Sequence, residues 1–340
     1  MPDSHTSALT DLYRELCPVP DVLYVLPDMD RLRENNSYLG LLYRNIEVHF
    51  GADFRLLSSS FFNPVLLLKG LRGRQIIVHH HWLECRNLKD FFNICWKLFW
   101  AFWFRQAGIR LVWTVHNAEP HDPVYPGFNR WARRRWARLQ DRIHVHCPSA
   151  VSLMAGRLNL PEERFRVIPH PTYPVEKMDR MPARRQLARL LDLPELDEGA
   201  HLLLAFGYIA PYKGIPELAR LFDRHNRTSH LLIAGPVKKG GEAPLKALED
   251  LARDNPRIHL RPHLIPQESL PALFGAADAA VFNYREILTS GGVVLARSFG
   301  KAVIAPAKGC LAELSGGDVH LFASPEELGG LLASSGGRRE

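Results

Sequence analysis

Three clusters of side chains in this sequence could do chemistry, and each stands where an apolar run gives way to polar residues. The first is Phe206-Gly207-Tyr208-Ile209-Ala210-Pro211-Tyr212-Lys213-Gly214 and the second is Tyr284-Arg285-Glu286-Ile287-Leu288-Thr289-Ser290-Gly291-Gly292. Each follows a run that reads as a buried strand and opens a segment that reads as a helix. A glycine-bearing turn of this kind presents free backbone N–H groups and the positive end of a helix dipole, a setting that suits phosphate. Lys213 adds an ammonium, Thr289 or Ser290 an N-cap, and the glycines let a ligand approach the backbone. Together the two turns predict a diphosphate site in the C-terminal half.

The third cluster, Thr114-Val115-His116-Asn117-Ala118-Glu119-Pro120-His121-Asp122, sets four titratable side chains within seven residues directly after a strand. General acid–base chemistry needs such groups; Asp122 is the first candidate base, with Glu119 and His116 next. Two further segments end apolar runs, Asn35-Asn36-Ser37-Tyr38 and His79-His80-His81-Trp82. In a strand His79 and His81 share one face and His80 opposes them. No third ligand is evident beside them, so the triplet reads as a polar strand end lining a cleft, and no metal is expected. Where a dinucleotide-binding G-x-G-x-x-G would stand, the chain has Pro27-Asp28-Met29-Asp30, which argues against a nicotinamide-type site.

The elements that must position these clusters alternate between strand and helix. Strands are expected at Val22–Leu26, Phe54–Leu57, Ile76–His79, Arg110–His116 and Ile143–His146. Helices are expected over Tyr38–Val48, Leu88–Gln106 and about 128–139, with Ser149 capping another through Arg157. A proline-rich, charged stretch follows and reads as a linker over 171–197, with 183–191 helical. A second set then runs through strands at His201–Phe206, His230–Ala234, Ile258–Leu260, Ala279–Phe282 and Ala302–Ala305. Strand–helix alternation implies parallel sheets covered on both faces. The expected architecture is therefore α/β: two Rossmann-like doubly wound domains, 1–170 and 198–340, facing a central cleft.

Bulk composition agrees with a globular chain: 340 residues, 46% hydrophobic and 23% charged. Five scattered cysteines without a C-x-x-C argue against a zinc ribbon or a disulfide framework. Met1 to Thr10 lacks an apolar stretch, so no signal peptide is expected and a cytoplasmic address is. The net charge of +7 is unevenly spread. Arg130, Arg133, Arg134, Arg135, Arg138 and Arg142 crowd one segment, and Phe91, Phe92, Trp96, Phe99, Trp100, Phe102, Trp103 and Phe104 make the preceding helix aromatic. Two readings stay open: a core helix with a solvated basic face, or a surface that lies on an anionic membrane through 91–104 and 130–142. No nucleic-acid motif accompanies the charge.

The order of these motifs resembles GT-B glycosyltransferases. Within them it is similar to bacterial exopolysaccharide enzymes of the xanthan-type GDP-mannose β-mannosyltransferase kind, and more loosely to the GT4-like group. The resemblance rests on Asn36-Ser37-Tyr38, His79-His80-His81-Trp82, Val115-His116-Asn117 with Pro120-His121-Asp122, Phe206-Gly207 with Pro211-Tyr212-Lys213-Gly214, and Ser290-Gly291 with Ser298-Phe299-Gly300. It implies transfer of a sugar from a UDP- or GDP-type nucleotide sugar to an acceptor hydroxyl, with no metal or other cofactor. Lys213, Gly207, Tyr212, Glu286, Thr289, Ser290, Gly291, Arg285 and His263 would meet the donor. Asn36, Tyr38, His81 and Trp82 would meet the acceptor, and Asp122, His116 or Glu119 would act as base. Two departures stand out. Ala210 replaces the arginine that closer relatives carry, and the paired glutamates of retaining GT4 enzymes fall on Ile287 and Leu295, which leans the reading toward inversion. A lipid-linked saccharide acceptor would account for the aromatic helix. The rival expectations are a non-catalytic sugar- or lipid-binding subunit and a sugar-nucleotide epimerase.

Overall fold

The computed structural model describes residues 4–32, 37–60, 62, 64–120, 125–192, 196–316 and 318–335. Asn36 and Asp122 lie outside these residues. The chain divides between Pro171 and Thr172 into two compact units.

In the first unit the strands are β1 (Val22–Leu26), β2 (Arg55–Ser58), β3 (Ile76–His80), β4 (Arg110–Thr114), β5 (Arg142–Val145) and β6 (Phe165–Val167). They pair in parallel in the order β2-β1-β3-β4-β5-β6. In the second unit they are β7 (Leu202–Phe206), β8 (His230–Ala234), β9 (Ile258–Arg261), β10 (Ala279–Val281), β11 (Ala302–Pro306) and β12 (Val319–Phe322). Their order is β12-β11-β10-β7-β8-β9, again all parallel. The strand order reverses between β1 and β3 in one sheet and between β7 and β10 in the other. In open parallel sheets the crevice beyond the carboxyl ends at such a reversal is where ligands bind.

Alternation along the strands explains the layering. Leu202, Leu204, Leu232 and Ala234 pack on one face with Phe274, Phe282 and Phe299. Leu203, Ala205, Leu231 and Ile233 pack on the other with Phe222, Leu248 and Leu328. Each buried Leu or Ile contributes roughly 2 kcal/mol of apolar transfer, and with helices on both faces only the strand ends remain for polar side chains.

Several expectations change. The helix read over 38–48 is broken: Tyr38–Leu42 is helical, Asn45 takes a left-handed conformation (φ 58°), and a 3-10 turn, Ile46–His49, follows. Asn tolerates that conformation and ends the helix there. Ser149 is the first residue of the helix Ser149–Leu158, and Pro148 holds the capping position without a side-chain bond. The helix Arg180–Leu191, within the stretch read as a linker, places Ala183 and Leu187 in the second unit's core. Its Arg184 is buried and donates to Asp278 Oδ2 at 3.0 Å, beside the Leu202 N–H at 2.7 Å.

One glycine joins the two phosphate-candidate turns. Gly214 precedes the helix Ile215–His225 with φ +60°, and a Cβ there would stand 2.3 Å from the Asn283 carbonyl oxygen. Asn283 Nδ2 in turn donates to the Gly214 carbonyl at 2.8 Å. Gly214→Ala is expected to cost about 2–4 kcal/mol, from the left-handed backbone plus the clash. Urea denaturation checks this, and an unchanged midpoint would contradict the close approach.

Candidate functional site

In the second unit, the turns after β7 and β10 lie side by side at the strand-order reversal. The Arg285 N–H donates to the Tyr212 carbonyl at 2.9 Å. Lys213 Nζ donates to Tyr284 Oη at 3.2 Å and lies 4.7 Å from that ring's centroid. Tyr284 Oη is 2.7 Å from Ser290 Oγ, which accepts the Val293 N–H at 3.2 Å and so caps the helix Gly291–Ser298. Burial lowers the Lys213 ammonium from its ordinary value and raises the Tyr284 phenol. Among the described residues no carboxylate forms an ion pair with Lys213. A desolvated cation without a counter-ion, beside a capped helix N-terminus, favours an anion.

The backbone is shaped for that approach. Gly207 has φ +113°, and a Cβ on it would come 3.1 Å from Lys213 Nζ. Gly235, after β8, has φ +143°, and a Cβ there would sit 2.4 Å from the Gly207 carbonyl oxygen. Past Gly235, a bridge between Ile209 and Val237 brings Lys238 alongside. Its Nζ is 5.8 Å from the Tyr212 ring centroid, the same distance as Lys213 Nζ. Reading the sequence missed Lys238. The signal was there in Gly235-Pro236-Val237-Lys238-Lys239-Gly240-Gly241, a third strand-to-helix turn carrying cations.

Gly207, Tyr212, Lys213, Ser290 and Gly291 thus belong to one constellation, with Thr289 half-buried next to the cap. Arg285 is drawn elsewhere: its Nη2 is 2.6 Å from Glu217 Oε1. Glu286 and His263 are exposed and form no hydrogen bond among the described residues.

The first unit holds a second constellation, a buried network of histidines and tyrosines at the carboxyl ends of β3, β4 and β5. His79 and His81 stack with ring centroids 4.5 Å apart. His80 points to the opposite face against Trp136, where Lys97 Nζ donates to His80 Nε2 at 2.9 Å. Lys97, read from sequence as flanking a surface helix, is turned inward, and burial pushes its pKa down to about 8.

The acceptor-only carbonyl of Ile168 sets the proton positions that follow. It takes His144 Nε2–H at 2.9 Å and His146 Nδ1–H at 3.0 Å. His144 Nδ1 must then accept from Thr114 Oγ1 at 2.9 Å, and Thr114 must accept from His79 Nε2–H at 2.7 Å. His79 Nδ1 is left as acceptor for the phenols of Tyr13 at 2.6 Å and Tyr43 at 2.8 Å. Tyr43 Oη also reaches His81 Nε2 at 2.7 Å, and His81 Nδ1 lies 3.2 Å from His116 Nε2. Burial holds His79 down at about 3 and His80, His81, His116, His144 and His146 well below the ordinary histidine value. The network is therefore neutral at pH 7. His80 Nδ1 has no partner among the described residues, the other buried ring nitrogens meet phenols, hydroxyls, a carbonyl, Lys97 or one another, and among the described residues no three His, Cys, Asp or Glu are placed to hold a metal ion.

His116 is the partly exposed end of this chain. Its ring stacks on Trp82 at 4.6 Å, and Tyr38 is edge-on to it at 4.8 Å. Tyr38 is buried, its Oη 3.3 Å from His146 Nε2. Tyr38, His81, Trp82 and His116 are thus one cluster. Glu119 stands apart, exposed and 3.1 Å from Arg157 Nη1, so its carboxylate is already paired. Arg133, read as part of a basic cluster, is buried and donates through Nη2 to the carbonyls of Asn117 at 2.7 Å and Ala118 at 3.3 Å. It fixes the backbone that follows His116.

Two doubly wound parallel units with ligand-ready strand ends define the GT-B fold, and comparison with solved structures agrees. The chain is similar to sucrose-phosphate synthase of Thermosynechococcus elongatus, with TM-score 0.65 and 14% identity over 94% of this chain and 93% of that one. It is similar to HepE of Anabaena in complex with UDP, with TM-score 0.62 and 14% identity over 98% and 86%. A glycosyltransferase of Rickettsia africae matches with TM-score 0.57 and 12% identity over 92% and 87%. No family model matches the sequence, and neither does any curated protein.

The neutral network carries a pH signature. His79, His80, His81, His144 and His146 stay unprotonated in the fold but bind protons in the unfolded chain below pH 6.5. The unfolded state then holds more protons, so stability rises with pH up to about 6.5 and falls as pH drops toward 3. Each contributes about 1.4 kcal/mol per pH unit once fully developed, and five together approach about 7. The first unit is expected to lose stability steeply as pH falls below about 6.5, while above pH 7 the slope shrinks to smaller contributions such as that of Lys97, lowered by burial to about 8. Denaturant titrations followed by tryptophan fluorescence at successive pH values measure the slope; a slope below about 2 kcal/mol per pH unit would contradict it.

Proposed function

We propose that this chain is a glycosyltransferase that moves a sugar from a UDP- or GDP-type nucleotide sugar to an acceptor hydroxyl. The observation that carries this reading is the Lys213 ammonium, desolvated and without a carboxylate, at a glycine turn beside the capped helix Gly291–Ser298. HepE has been solved with UDP and with UDP-glucose, which makes UDP the first nucleotide to test.

In this reading the second unit binds the donor. Lys213 and Lys238 neutralise the diphosphate, and the N-terminus of Gly291–Ser298 supplies backbone dipoles where negative charge grows as the anomeric C–O bond breaks. Protein cations rather than a metal carry that charge. The first unit supplies the acceptor side. His116, neutral at pH 7, or Asp122 takes the acceptor hydroxyl proton as that oxygen attacks the anomeric carbon from the opposite face, giving inversion. Glu119 is the weaker candidate because Arg157 already holds it.

The acceptor in this reading is a lipid-linked saccharide of cell-surface or exopolysaccharide synthesis, met at the inner face of a membrane. Exposure supports it. Phe92, Trp96, Phe99 and Trp103 recur at helical spacing, and they are 63%, 45%, 54% and 43% exposed. The helix therefore turns an aromatic stripe outward, while Ile94, Ala101 and Phe104 face the core. Arg130, Arg134, Arg135 and Arg138 are exposed on the neighbouring helix Pro126–Leu139. Aromatics with cations beside them fit an anionic bilayer interface. Among the described residues no helix is long and apolar enough to cross a membrane.

Lys213→Ala is expected to weaken UDP binding about 10- to 100-fold, the loss of one charge-assisted phosphate contact. Calorimetric titration with UDP measures it, and unchanged affinity would remove the diphosphate assignment. For the membrane contact, co-sedimentation with vesicles containing 30 mol% phosphatidylglycerol should fall at least tenfold in a Trp96→Ser, Phe99→Ser, Trp103→Ser variant. Equal sedimentation would place the acceptor reading on other grounds or none.

A further inference from the structure

The helix Pro126–Leu139 also packs on the helix Ser149–Leu158, and Arg130 and Arg134 of its exposed basic side border a cleft. Asn129, Arg130, Arg133 and Arg134 line that cleft with Ala118, Glu119 and Arg157, and its volume is about 110 Å³. That is smaller than a site for a whole small molecule and suits a single anionic group. Four arginines and one carboxylate share it, so its charge is strongly positive. Glu119 pairs with Arg157 at 3.1 Å, Glu84 and Glu119 both favour the charged form of Arg133, and Arg134 Nε donates to the Arg157 carbonyl at 3.1 Å.

Arg133 at the base distinguishes this cleft from a solvated charge cluster. Its side chain is 6% exposed, packed 5.2 Å from the Trp113 ring centroid, and only Nη2 is hydrogen-bonded, to the carbonyls of Asn117 and Ala118. Nε and Nη1 have no hydrogen-bond partner among the described residues. Burial lowers this guanidinium to about 10, which leaves it a full cation at neutral pH. A buried guanidinium with donors to spare, ringed by three more, matches phosphoryl oxygens better than any neutral group.

We propose that this arginine cleft binds a phosphate or diphosphate group borne by a lipid, that of the acceptor. The inference rests on the lipid-linked acceptor reading and names its anchoring group. Ligand oxygens would meet the buried Arg133 and the exposed Arg130, Arg134 and Arg157 around it.

The test is calorimetric titration of the full chain in a Lys213→Ala, Lys238→Ala background, which removes both cations that the second unit offers a diphosphate. Inorganic pyrophosphate is expected to bind saturably, and Arg130→Glu with Arg134→Glu to weaken it at least tenfold. Both positions are exposed, so the fold is kept, and circular dichroism confirms it. Farnesyl diphosphate is expected to bind at least tenfold more tightly than pyrophosphate. Equal affinity for the two probes overturns the lipid-borne source in favour of free phosphate. Pyrophosphate binding that ignores the double charge reversal, or is absent, overturns the site. A melting-temperature shift of the unmodified chain by UDP reports on the glycosyl-transfer reading separately: without it that reading fails, whatever the cleft does.

Discussion

Parallel pairing is the constraint on which the rest of this molecule depends. A parallel sheet needs helices on both faces, so its central strands are mostly apolar on both sides and polar chemistry gathers at their ends. Every connection must also return along the sheet, so all carboxyl ends emerge at one edge. In the second unit this alone brings together turns that are 70 residues apart in sequence: β7 and β10 are neighbours, and Lys213 meets Tyr284 because their strands do. In the first unit the same rule gathers His79, Thr114 and His144 from three adjacent strands.

What those ends then do is set by desolvation. An imidazole taken out of water is costly as a cation and cheap as a neutral donor–acceptor, provided each nitrogen finds a partner. The Ile168 carbonyl starts a sequence of such pairings that runs through His144, Thr114 and His79 to the phenols. It ends at His116, where the chain becomes accessible. The network has a carbonyl at its closed end, so a proton taken up at His116 has no exit through it. Its physical contribution is to fix the His116 ring's orientation and hold the charge of the buried rings at zero.

Much of this was legible in the sequence, and the limits have specific causes. Val22–Leu26 and His230–Ala234 were read to the residue because central strands are apolar throughout. The edge strands β6 (Phe-Arg-Val) and β12 (Val-His-Leu-Phe) were not, because one-sided burial leaves polar residues in so short a run. The helix Ser4–Leu16 has no counterpart among the expected elements, although Leu9, Leu12, Tyr13 and Leu16 keep helical spacing. Tyr13 could not have been assigned to the histidine network at all, since its partner lies 66 residues away. The Ser290 cap was legible because capping is local; the pairing of Arg285 with Glu217 was not, because it depends on which turns become neighbours.

The absent arginine shows how the two levels interact. Ala210 leaves Lys213 without the cation that the motif leads one to expect at that position, and in sequence this looks like a weakened phosphate site. Ala210 is buried, so its position no longer faces a ligand. The Ile209–Val237 bridge puts a different turn alongside, and Lys238 takes up a place on the Tyr212 ring at the same 5.8 Å as Lys213. Both ammonium groups lie within cation–π range of that ring. The number of cations at the turn is thus preserved while their source moves from one strand end to the next. Charge at such a site is a property of the sheet edge as a whole, because parallel neighbours can substitute for one another wherever their turns pack.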